Sequence, residues 1–127
     1  MSKPYERIIV LDFETSWGRR VKLGFSCQTN EEDIRDPRFK AWGLCWKEYG
    51  SPEPAVWVRG DDLQAWADSI DWTTTAVVAQ NAQFDASILA WRYGCQIAFV
   101  FDTLSMGRAV RGIEVGNSLK KMAEDFG

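Results

Sequence analysis

The sequence predicts an α/β fold, a mixed five-stranded sheet with flanking helices. Three observations carry this. Apolar, strand-like runs recur at Ile8–Thr15, Phe39–Trp46, Ala55–Val58, Thr75–Ala79 and Ile97–Phe101. From Asp61 onward, segments of helical periodicity alternate with them. The chain of 127 residues, 46% of them apolar, is long enough for one hydrophobic core, and no repeat, low-complexity tract or Gly/Ser/Pro-rich linker divides it. One domain spanning residues 1–127 is therefore expected.

The first strand is the run Ile8-Ile9-Val10-Leu11-Asp12-Phe13-Glu14-Thr15, and residues 16–28 after it mix polar and apolar types without a period. Asn30-Glu31-Glu32-Asp33-Ile34-Arg35 reads as a short capped helical turn that Pro37 ends. The strands Phe39–Trp46 and Ala55–Val58 flank the turn signal Gly50-Ser51-Pro52, which predicts an antiparallel hairpin beside the first strand. Asp61 or Asp62 caps a helix whose apolar residues Leu63, Trp66, Ala67 and Ile70 follow the i, i+3, i+4, i+7 rule. After the strand Thr75–Ala79, a helix with Phe84, Ile88 and Trp91 on one face runs to Gly94. The strand Ile97–Phe101 follows, then a short helix from Thr103 to Ala109. A last helix opens at Asn117-Ser118-Leu119 with Leu119, Met122, Ala123 and Phe126 on its inner face.

Composition excludes much chemistry. Histidine is absent, so there is no Ser-His-Asp triad, Cys-His dyad or HExxH zinc site. Cys27, Cys45 and Cys95 are odd in number, widely spaced and without a CxxC pair, and read as small core residues in a reducing compartment. A net charge of −3 with interspersed signs argues against the broadly basic surface of non-specific duplex binders. Local basic groups remain at Arg19, Arg20 and Lys22 and at Arg108, Arg111, Lys120 and Lys121, read first as solvated charge. The segment Met1–Arg7 has no signal-type apolar region and no run reaches membrane-spanning length, so no membrane partner and a cytoplasmic location are expected.

The chemistry-bearing residues sit at strand ends. Asp12 and Glu14 alternate with Phe13, so they share one strand face roughly 7 Å apart while Phe13 turns into packing. Asp85 follows in Asn81-Ala82-Gln83-Phe84-Asp85, opening a helix directly after another apolar strand. Carboxylates this close repel unless a cation lies between them, and hard divalent ions such as Mg²⁺ or Mn²⁺ take such oxygens. The plainer reading is a buried strand ending in solvated acids.

These motifs resemble the 3′–5′ proofreading exonuclease domain of A-family, phage-type DNA polymerases, within the DEDD exonucleases of ribonuclease H-like fold. Leu11-Asp12-Phe13-Glu14-Thr15 fits the first exonuclease motif, Asn81-Ala82-Gln83-Phe84-Asp85 the second, and Phe101-Asp102-Thr103-Leu104 the strand end that follows. Glu31–Phe39 is similar to a phage-polymerase stretch. The resemblance implies two-metal hydrolysis of DNA 3′ ends with two Mg²⁺ or Mn²⁺ ions. By that resemblance Asp12 bridges both ions, Glu14 binds the water-activating ion and Asp85 holds the second. Phe13, Thr15, Asn81 and Phe84 become candidates for contact with the terminal nucleotide, with core packing the favoured reading for both phenylalanines. The implied partners are a single-stranded or frayed DNA 3′ end and a polymerase domain in a phage-infected or bacterial cytoplasm.

The family's third motif, a Tyr or His followed four residues later by an Asp, belongs beyond the last helix, and the sequence ends at Gly127. Neither Asp102, Glu124 nor Asp125 replaces it convincingly. Three readings stay open: a nuclease or its amino-terminal portion, an incomplete fold that binds metal or nucleotide ends, and an interaction module. Without the family's carboxy-terminal helix, an exposed apolar face is expected to favour a homo-oligomer or docking of the remaining part. Of the tryptophans, Trp66, Trp91, Trp42, Trp46 and Trp57 are expected in packing, while Trp17 alone sits where a loop could reach a bound nucleotide, with packing an equal alternative.

Overall fold

The computed structural model describes residues 3–16 and 30–127. Trp17, Arg19, Arg20, Lys22 and Cys27 lie outside them. The described chain forms strands β1 (Arg7–Thr15), β2 (Ala41–Glu48), β3 (Val56–Arg59), β4 (Thr75–Ala79) and β5 (Phe99–Asp102). Its helices are α1 (Asn30–Arg35), α2 (Leu63–Asp68), α3 (Ala82–Tyr93), α4 (Thr103–Arg111) and α5 (Leu119–Phe126).

The strands form one mixed sheet in the order β3-β2-β1-β4-β5. β1–β2 and β2–β3 are antiparallel, whereas β4 runs parallel to both β1 and β5. The topology follows from chain economy. A short connection suffices for the antiparallel hairpin, while each parallel pair needs a crossover, supplied here by α2 and α3. This mixed sheet is consistent with a ribonuclease H-like arrangement.

One side of the sheet is closed. Ile9, Leu11 and Phe13 of β1, Leu44 of β2 and Val77 of β4 join Ile34, Leu63, Ala67, Ile88 and Leu89 of α1, α2 and α3 in a single buried cluster. Trp72 seals its end, donating its indole N–H to Ala67 O at 2.8 Å. The opposite side, carrying Val10 and Val78, borders an open groove of about 430 Å³ that Leu119 also lines. Helices α4 and α5 pack on each other there, Gly107 against Met122 and Arg111 against Asp125. Gln80 ties them to the end of β4 by donating to Asn117 O at 2.8 Å. Among the described residues no helix is long and apolar enough to cross a membrane.

Several expectations are corrected. Leu119 and Phe126 are exposed rather than on an inner face, with Met122 alone partly buried in that row. Asp62 stands at the start of α2 without a capping bond from its side chain; a 3₁₀ turn, Gly60–Asp62, leads in, and Leu63 N–H already bonds to Gly60 O. Trp42, Trp57 and Trp91 are exposed, not packed inside. In α3 the buried residues are Ala82, Asp85, Ile88 and Leu89, so the inner face is rotated away from Trp91. Trp91 instead lies under the Arg35 guanidinium, 5.6 Å from its ring centroid.

Candidate metal centre

The candidate site forms where β1 outruns its parallel neighbour. β4 pairs with β1 only from Arg7 to Val10, which leaves the far end of β1 unpaired on that side. The N–H of Phe13 emerges at this edge and donates to Asp85 Oδ1 at 3.3 Å. A buried backbone donor without a partner is costly, so the carboxylate completes what the sheet leaves undone.

The link from β4 to α3 brings Asp85 there. Asn81 adopts a left-handed conformation with φ of 56°, which asparagine tolerates better than most residues. That single reversal starts α3 immediately beyond the sheet, with Asp85 in its first turn. Gly94, at φ of 72°, ends the same helix.

Asp12 and Glu14 lie on the other side of the same stretch of strand. Burial alternates along β1, with Ile9, Leu11 and Phe13 buried and Val10, Asp12 and Glu14 exposed. Asp85 approaches from the edge, 5% exposed, at the backbone between the two acids. Its carboxyl is pushed up to about 7, chiefly by burial, opposed by the Phe13 hydrogen bond and reinforced by the charges of Asp12, Asp102 and Glu14. Partial burial also raises Asp12. The acids therefore sense one another across the strand.

Asp102 is the participant that the sequence reading set aside. It ends β5 beside Ala79 and caps α4, accepting from Leu104 N at 3.0 Å and Ser105 Oγ at 3.1 Å. Its capping role explains its presence, yet its charge still acts on Asp85. The recurrence of an acid at a strand-to-helix junction was the available signal.

The implied nucleotide contacts are placed differently. The Phe13 ring is buried on the covered face, stacked on Tyr93 at 6.3 Å, and Phe84 packs partly buried against the core. Neither ring shares the face of Asp12 and Glu14. Thr15 is half-buried at the strand end and Asn81 is exposed at the turn into α3. Of the late basic residues, Arg111 and Lys121 are engaged by Asp125.

The donor chemistry suits a hard divalent ion: carboxylate oxygens, mutually repelling, at the end of a sheet. Among the described residues, however, no three His, Cys, Asp or Glu side chains stand together as a ready-made cage. No protein-family profile matches the chain, and no curated protein sequence matches it.

Proposed function

We propose that the chain is a 3′–5′ exonuclease domain of the phage DNA-polymerase type, removing nucleotides from DNA 3′ ends. The observation that supports it most is the bond from Phe13 N–H to Asp85 Oδ1, because it draws a carboxylate 72 residues away onto the backbone between Asp12 and Glu14. The sheet order β3-β2-β1-β4-β5, shared with ribonuclease H-like nucleases, agrees with it.

In this reading Asp12, Glu14 and Asp85 hold two Mg²⁺ or Mn²⁺ ions, which when bound supply an activated water and charge stabilisation at the departing 3′ oxygen. Asp12 and Glu14 offer oxygens from the open face. Asp85 offers one from the edge while its bond to Phe13 fixes its orientation. Its raised pKa means that neutral to alkaline pH frees the carboxylate for a cation.

A 3′-labelled single-stranded oligonucleotide with Mn²⁺ provides the test. Label release that Asp12→Ala abolishes, together with Mn²⁺ binding by calorimetry, is the expected result. No Mn²⁺ binding at millimolar concentration overturns the reading. A second reading, a module that binds metal or nucleotide ends without turnover, is favoured by the lack of a closed cage among the described residues. Mn²⁺ and strand binding without release would select it.

A further inference from the structure

We infer that Trp57 is a stacking platform for a base of the single strand whose 3′ end enters the acidic site, an inference that rests on the nuclease reading. Trp57 of β3 is in register with Cys45 of β2, and Cys45 with Asp12 of β1. Arg59, Gly43 and Glu14 form the neighbouring row across the same three strands. Residues paired in antiparallel strands share a face, so Trp57 and Arg59 stand on the side of the sheet that presents Asp12 and Glu14. Val58, between them, packs toward the core from the other side. Two inter-strand steps of about 4.8 Å separate the Trp57 and Asp12 backbones by roughly 10 Å, a gap that a frayed end readily bridges.

The indole is seated rather than dangling. A Cβ on Gly43 would stand 2.4 Å from Cζ2 and 2.7 Å from Cη2 of Trp57, so the ring rests where only a glycine leaves room. Even so, 51% of the residue stays exposed. A tryptophan fixed on a sheet yet open to water can accept a base on its free surface, whichever base it is, because every base has a π-face.

Charge on the same surface selects a polyanion. Arg59 follows on the same face of β3, and Lys47 stands in register with Val10 on the same face of β2. Arg59 also reaches a cleft of about 420 Å³ that Lys40 and Trp42 line together with Arg92 and Tyr93 of α3 from the covered side, and the Lys40 Nζ lies 4.2 Å from the Trp42 ring centroid. Aromatic surface interleaved with cations, leading to a pair of carboxylates, fits a single strand of nucleic acid with its bases unstacked.

Fluorescence anisotropy of labelled oligothymidylate, titrated with Ca²⁺ present and the strand length checked afterwards, tests this. Trp57→Ala is expected to weaken binding about five- to a hundredfold, with Trp57→Phe restoring most of it. A strand with an abasic position under the platform should bind the original protein more weakly than an intact strand but bind Trp57→Ala equally to one. Trp57→Ala with unchanged affinity overturns the inference, and if its oligomeric state shifts instead, the face is a protein interface. If the original protein binds Mn²⁺ and releases nucleotides while Trp57→Ala holds the strand as tightly, the platform fails and the nuclease reading stands. If the original protein binds neither strand nor Mn²⁺, both fail.

Discussion

Ile9, Leu11 and Phe13 point from β1 into a core shared with three helices, whereas Val10, Asp12 and Glu14 point from the same strand into open space. The backbone is one and the register is one; only the side-chain parity differs. On the covered face apolar area is removed from water and supplies stability. On the open face the same strand carries two carboxylates, β3 two strands away carries the exposed Trp57 indole, and a groove there has an apolar lining that includes Val10, Val78 and Leu119. On the proposed nuclease reading, stability and chemistry lie on opposite sides of one sheet, so substitutions on the two should separate cleanly.

The largest separation concerns rate. Asp12→Ala should lower metal-dependent nucleotide release at least about a hundredfold, since each ~1.4 kcal/mol of lost transition-state stabilisation is tenfold, and leave the urea midpoint nearly unchanged. A midpoint that falls as far as the rate would erase the division between faces. Leu44→Ala, in the core, should cost about 2–5 kcal/mol in urea unfolding. Val10→Ala, one strand away on the open face, should cost much less.

Asp85 tests the boundary between the faces. Its folded-state pKa, about 7, lies above its ordinary value of 3.8. Between these values the folded protein binds more protons than the unfolded chain, so without metal its contribution is intact below about pH 4 and is lost as pH rises through 7. Asp85→Asn should remove that loss and stabilise the metal-free protein at pH 8 while abolishing Mn²⁺-dependent release. Urea midpoints of both proteins from pH 4 to 8, in chelator, check this. A parallel pH dependence in Asp85→Asn would place the titration elsewhere.

A further contrast is between two tryptophans. Trp72→Ala should cost about 3–5 kcal/mol, because a buried ring and its bond to Ala67 O are lost together. Trp91→Ala should cost less than about 1 kcal/mol, since that ring is exposed and gains only a surface contact with Arg35.

Much of this was legible in the letters. Alternation in β1 placed Asp12 and Glu14 together and opposed to Phe13, because side-chain parity in a strand is a local property. The five strands likewise follow from short-range pattern, and their bounds shift by at most two residues in the structure. Helix rotation was harder. Phe84, Ile88 and Trp91 have good helical spacing, but α3 turns Asp85 inward to meet the unpaired Phe13 N–H, which carries Trp91 outward.

Which residues alternate, where the chain must turn and that three carboxylates stand at element ends can be read from the letters, since each depends on neighbours a few positions away. That β4 stops short of β1's end, that Asp85 fills the gap, that Asp102 adds its charge, and that Trp57 rests over Gly43 emerge from the packing of distant segments. Residues 49–55 make a connection longer than the two-residue turns that dictate hairpin register, so the register that seats the indole is set by packing across the sheet. Long-range pairing and the competition for one unpaired backbone N–H leave no local trace.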